Sequence, residues 1–213
     1  KSSDTIGREM AAQISQDQEV SESKINEEVY TNNITNSGPD DGKRIALFPG
    51  KFKPPHRGHF DFVKKVARRN DVDQVVVLIS PVPKPEVNNE QSLEMWNKFL
   101  DSEGAPDNVH VEIADYRSPV TSVYEFIADP VKARSGDTVL LIKSSKDVGD
   151  SRFRGAQSYA ERNNPGVNVS IIEEDPISKP DGEPYHGSDA RKSIANNDRK
   201  LFNTFMPPKV DSD

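Results

Sequence analysis

The chain has no cysteine. That excludes disulfide cross-links and thiolate metal sites, and it fits an intracellular, cytoplasmic setting. Long apolar runs are missing as well: none approaches the roughly 18–20 residues that a membrane-crossing helix needs, and no charged-then-apolar leader opens the chain. Hydrophobic residues are sparse at 33% of 213, so part of the chain is expected to stay outside any core. Basic residues are outnumbered, 28 Lys and Arg against 35 Asp and Glu, for a net charge of -7. Such a balance argues against broad nucleic-acid binding while leaving room for a local cationic site. The length suits one compact domain with tails. Because the first residue is Lys1 rather than methionine, the expectation is a processed product, a trimmed chain or a fragment.

What is present falls into two parts. Residues 1–42 are rich in Ser, Asn, Gln, Glu and Asp and show no sustained period. They bury too little apolar surface to offset the entropy of ordering, and they read as a flexible arm, either a linker or a docking element. A short helix over Ile6–Gln18 is compatible with the spacing of Ile6, Met10 and Ile14. The turn formers of Asn36–Gly42 mark the boundary. From Lys43, strand-like and helix-like stretches alternate. The strands are Arg44–Phe48, Val75–Ile79, Val109–Ile113, Thr138–Ile142 and Val167–Ile172. The helices are Phe60–Arg69, Glu90–Leu100, Val120–Ile127 and Phe153–Arg162. Val75–Ile79 is a continuous β-branched run, the pattern of a strand buried on both faces. Val109–Ile113 alternates like an edge strand, and Ser118-Pro119 supplies a cap followed by proline at the first helical position. Five strands alternating with helices imply a parallel sheet covered on both faces, an α/β domain over 43–205 followed by a tail, 206–213.

The informative stretch is Gly50–His59. It runs Gly50, Lys51, Phe52, Lys53, Pro54, Pro55, His56, Arg57, Gly58, His59, after the first strand and before a helical pattern beginning near Phe60. A helix N-terminus offers unpaired N–H groups and partial positive charge, so it attracts an anion. Histidines three apart on a first turn can face the same bound group. A later stretch, Tyr185–Ile194, holds Ser188 and Arg191 at the start of another helix. Ser188 is expected to cap it. The Arg191 guanidinium, one turn on, has the fork geometry that takes two phosphate oxygens.

Gly50, Phe52, Pro54, His56, Gly58 and His59 at this spacing resemble the HxGH motif of the nucleotidyltransferase superfamily, which includes cytidylyltransferases, nicotinamide-mononucleotide adenylyltransferases and phosphopantetheine adenylyltransferases. Ser188-x-x-Arg191 resembles the superfamily's second motif, in the same order along the chain. The resemblance implies a Rossmann-like, doubly wound five-stranded parallel sheet of order 3-2-1-4-5. Substrates would bind at the carboxyl ends of the strands, beside the first. It further implies transfer of a nucleoside monophosphate from ATP or CTP, with Mg2+, to a phosphorylated small-molecule acceptor, releasing pyrophosphate. By the same likeness His56 and His59 contact the triphosphate, Ser188 and Arg191 hold its β- and γ-phosphates, and backbone N–H groups near Phe52 add donors. Gly50 and Gly58 are the motif's glycines.

Other positions carry two readings. Lys51 adds positive charge to the phosphate site, whereas Lys53 is read as a solvated turn residue. The two lysines around Phe52 approach a Gly-Arg-Phe-Gln-Pro variant found in some nicotinamide-mononucleotide adenylyltransferases. Lys84 is either the cation for the acceptor phosphate or an exposed lysine of a stiff proline-rich loop. Asp147 either holds a ribose hydroxyl or magnesium, or caps its loop. Trp96, at helical spacing from Leu93 and Leu100, is expected in the core rather than as a base-stacking platform. His110 and His186 lack metal-ligand company, and no protein metal site is expected. A weaker likeness to stand-alone superfamily domains in phage genomes raises an alternative: a virion or assembly protein reusing the fold, with residues 1–42 making oligomer or virion contacts.

Overall fold

The computed structural model of the chain describes residues 42–102, 104–145, 151–208 and 210. The expected helix at Ile6–Gln18, the arm up to Asp41, and Asp147 lie outside the described residues. Five strands, β1 (Arg44–Gly50), β2 (Gln74–Ile79), β3 (Val109–Ile113), β4 (Thr138–Ser144) and β5 (Asn168–Glu174), form one sheet of order β3-β2-β1-β4-β5. All four pairings are parallel. The helices are α1 (Arg57–Ala67), α2 (Asn89–Leu100), α3 (Pro119–Ala128), α4 (Ala156–Asn163), α5 (Gly187–Ala195) and α6 (Arg199–Asn203). Among the described residues no helix is long and apolar enough to cross a membrane.

Period-two alternation of side chains sorts the core into two layers. Ala46, Val75, Val77, Ile79, Leu140 and Ile142 face one side, where Phe60, Val63 and Val66 of α1 and Trp96 and Phe99 of α2 pack on them. Ile45, Leu47, Val76, Leu78, Val139 and Leu141 face the other, under Val123, Phe126 and Ile127 of α3 and Ala156 and Ala160 of α4. Central β2 is buried from Val75 to Ile79, which explains its unbroken apolar run. Chain order reverses between β1 and β4, so a crevice opens at the carboxyl end of β1, where ligands bind in open sheets of this kind.

Several boundaries differ from the sequence reading. The first helix begins at Arg57 rather than near Phe60, because His56 itself is its N-cap. The fourth begins at Ala156, not Phe153; Phe153 is buried and anchors the approach to the helix. The last strand runs Asn168–Glu174. Ser118 and Pro119 do open α3, although the Ser118 side chain makes no capping hydrogen bond. Phe205 and Met206 are buried in the first core layer.

Candidate active site

The junction between β1 and α1 is held from several sides. Ser80 N donates to Gly50 O at 2.8 Å, and Ser92 Oγ of α2 donates to Phe52 O at 2.5 Å. Phe52 adopts φ +48°, a left-handed conformation that a bulky side chain rarely occupies. Its ring offsets that cost by packing among Phe48, Trp96 and the edge of His59, at centroid distances of 5.1, 5.5 and 5.0 Å. Gly50 is required by the same ring: a Cβ there would come within 2.5 Å of Phe52 Cζ. Trp96 is fully buried and belongs to the core, as expected.

Lys53 is a correction to the sequence reading. It is only 2% exposed, and its ammonium donates to Ser80 O, tying the turn to the end of β2. Burial pushes its pKa down, with Glu90 opposing. The aliphatic stem and one well-placed carbonyl make that burial tolerable, and neither is visible in a local sequence window. Lys51, by contrast, is exposed.

His56 and His59 form a capping box built from imidazoles. His56 Nδ1 accepts from His59 N at 3.3 Å, and His59 Nδ1 accepts from His56 N at 3.3 Å. The rings stack with centroids 3.5 Å apart, inclined at 15°. An Nδ1 that accepts cannot carry the proton, so each neutral ring bears its hydrogen on Nε2. Burial pushes the His56 pKa down to about 4, against a favourable backbone hydrogen bond, with the charges of His186 and Lys179 lowering it further. His59 is pushed well below the usual imidazole range by its packing and by His56, although part of its surface stays accessible to solvent. Both rings are therefore neutral N–H donors at neutral pH rather than imidazolium cations.

Three of the first amides of α1 are already bonded. Arg57 N donates to Phe205 O at 2.6 Å, while His59 N and Phe60 N donate to His56 O at 2.9 and 3.1 Å. Gly58 N has no partner among the described residues, which leaves one first-turn amide for an anion. A Cβ at Gly58 would meet Tyr185 Cδ2 at 2.7 Å. Tyr185, which sequence reasoning did not single out, lies flat against His56 with centroids 5.6 Å apart. A tyrosine just ahead of the second motif was the only available signal.

The second motif reaches the first directly. Arg191 Nη1 donates to Lys53 O at 2.7 Å across the whole length of the sheet-forming region. Ser188 is exposed and is not the cap: α5 starts at Gly187, with His186 at the N-cap and no side-chain capping bond. Ser188 and Arg191 both belong to this helix, so the structure gathers Gly50, Phe52, His56, Gly58, His59 and Arg191 at one place, with Ser188 on the adjoining first turn. Lys84 is half-buried in the loop after β2, where Lys84 N donates to Val87 O at 3.1 Å. Among the described residues no group of three or more His, Asp or Glu is placed to hold a metal ion. A separate cavity of about 240 Å3, lined by Glu112, Asp115, Tyr116, Glu125 and Lys132 among others, contains none of the motif residues.

A doubly wound parallel sheet brings a histidine-capped helix N-terminus and a guanidinium together at its switch point. Comparison with known proteins makes the class specific. Residues 47–152 match the family model described as cytidylyltransferase-like. Over 76 residues the chain is 40% identical to a phosphopantetheine adenylyltransferase of Aquifex aeolicus, a stretch covering 35% of this chain and 44% of that one. It is 26% identical over 139 residues to the phosphopantetheine adenylyltransferase of Tropheryma whipplei, covering 62% and 77%. A bifunctional NMN adenylyltransferase/ADP ribose pyrophosphatase from Francisella tularensis shares the fold, with a TM-score of 0.50 and 19% identity over 79% of this chain and 47% of that one. Residues 47–152 are thus a cytidylyltransferase-like domain, and the superfamily is that of the nucleotidyltransferases.

Proposed function

We propose that the protein transfers an adenylyl group from ATP to a phosphorylated small-molecule acceptor and releases pyrophosphate. The observation that carries this reading is the bond between Arg191 and Lys53 O, which draws the second motif onto the β1–α1 turn. An acceptor phosphate oxygen attacks the α-phosphorus. The new P–O bond forms as the bond to the β-phosphate oxygen breaks, and pyrophosphate carries away the electron pair. A phosphate monoester is already an anion, so the site needs no strong base. Its task is to hold the reactants in line and to stabilise charge that grows on the α-phosphate and leaving group.

The neutral histidines suit that task. Their Nε2–H groups can donate without repelling Arg191, and their stacking and mutual hydrogen bonds hold the rings in place beforehand. Gly58 N offers a third donor at the positive end of α1. Arg191 and Ser188 suit the β- and γ-phosphates, and exposed Lys51 adds positive charge at the mouth. Lys84 is the candidate for the acceptor phosphate. Magnesium would enter with the triphosphate, whose oxygens are the hard ligands it prefers, and would neutralise charge on the leaving group.

The test is pyrophosphate release with each of the four nucleoside triphosphates against a panel of phosphorylated acceptors that includes phosphopantetheine and nicotinate mononucleotide. Turnover with ATP and one acceptor is expected. Absence of turnover, together with no triphosphate-dependent rise in melting temperature, would overturn the reading. His59→Ala should lower kcat by about 10²–10³, the usual cost of losing one preorganised donor, while leaving the fold intact. A variant with wild-type turnover would remove His59 from the site.

A further inference from the structure

We propose that Lys179, outside both motifs, is a further phosphate-binding residue: it sits on a short hairpin beside His56 and supplies a cation to the pyrophosphate portion of the triphosphate. The hairpin is closed by a bridge between Ser178 and Pro184 and by Lys179 N donating to Glu183 O at 2.8 Å. Gly182, at φ +87°, makes the turn, and Gly182 N donates to Lys179 O at 2.9 Å. The chain enters this turn from β5 and leaves it straight into Tyr185 and α5, so Lys179 is held by the same backbone that positions Ser188 and Arg191.

Geometry gives the ammonium its direction. Lys179 Nζ lies 6.0 Å from the Tyr185 ring centroid and 5.7 Å from that of Phe205. Tyr185 stacks on His56, and Phe205 O binds the first amide of α1. The cation therefore rests against the two residues that wall the histidine-capped end of that helix. Among the described residues it forms no ion pair with a carboxylate, unlike Arg57, Lys64, Lys65, Arg69 and Lys192, which all do. A half-buried lysine braced on aromatic faces, in a chain of net charge -7, is positioned for an anion that arrives from outside. Its charge is felt at His56, which it helps to keep neutral. Arg191 approaches the first motif from the other helix, so a bound pyrophosphate group would lie between two cations with neutral donors beneath it.

The inference rests on the nucleotidyltransferase reading, and the test separates the two. The unmodified chain and two variants, Lys179→Met and Lys179→Arg, are titrated calorimetrically with ATP, inorganic pyrophosphate and AMP in the presence of magnesium. Methionine keeps an apolar stem against Tyr185 and Phe205 and removes only the charge. Lys179→Met should weaken ATP and pyrophosphate binding by roughly 10- to 100-fold, the range for a lost charged hydrogen bond. AMP affinity should stay within about twofold, the unliganded melting temperature should not move, and arginine should restore most of the loss. Unchanged pyrophosphate affinity, or an equal loss for AMP and pyrophosphate, would refute the role of Lys179. If the unmodified chain binds neither ATP nor pyrophosphate, the nucleotidyltransferase reading fails and takes this inference with it.

Discussion

Protonation of the stacked histidine pair should make the fold lose stability in mild acid, before most carboxylates titrate. His56 has its pKa lowered from 6.5 to about 4 on folding, and it is only 4% exposed. Between those values the unfolded chain binds a proton that the folded chain refuses. Stability from this group is therefore fully present above about pH 6.5 and drains away as pH falls towards 4. At 1.36 kcal/mol per pKa unit, the whole contribution is about 3 kcal/mol, of which about 2 kcal/mol disappears between roughly pH 7 and pH 5. His59 is depressed too and adds to the loss in the same direction. Urea unfolding of the unmodified chain and of His56→Asn at about pH 7 and pH 5 would measure it. Asparagine keeps an N-cap acceptor for His59 N and cannot titrate. The variant should show a drop smaller by about 2 kcal/mol, because every other titrating group is shared by the two chains. Equal drops, within about 0.5 kcal/mol, would mean that His56 protonates in the folded state without penalty. The assignment of a neutral, Nε2–H donor pair would then be wrong.

Two substitutions test the packing around the site. Gly58→Ala puts a methyl group 2.7 Å from Tyr185 Cδ2 in a helix that would otherwise gain from alanine. The expected cost is about 1–3 kcal/mol in chemical denaturation, and pairing it with Tyr185→Ala should recover most of that loss. Trp96→Ala removes a fully buried ring packed on Phe52 and Phe99, so a cost of about 3–5 kcal/mol is expected in the same measurement. Because Phe52 shapes the turn, that variant should also weaken triphosphate binding. A stability loss with unaltered binding would show that the turn holds without Trp96.

The sheet was legible because its central strands are buried on both faces, and only apolar, largely β-branched runs survive there: Val75–Ile79 announces itself. The turn after β1 was legible for a different reason, since its residue types sit at a fixed local spacing. Lys53 reads as solvated because a lysine ahead of two prolines looks like a turn residue, and the carbonyl that receives its ammonium belongs to Ser80, just past the end of β2. Tyr185 went unnoticed for a similar cause. Its role is to lie against Gly58 and His56, a contact made only when the chain has folded back on itself. Serine favours the cap position, which made Ser188 the expected cap, yet the helix starts two residues earlier and His186 occupies that position. Local preference placed the helix correctly and its first residue wrongly.

The bond from Arg57 N to Phe205 O has a temporal meaning. A ribosome delivers the histidine motif well before Phe205. Until that later part emerges, the first amide of α1 lacks its partner, Arg191 has not reached Lys53, and Tyr185 has not covered His56. A chain arrested partway would carry the signature residues, yet it would present an unfinished helix end. The helix end that the histidines cap is thus completed only after all five strands have been made.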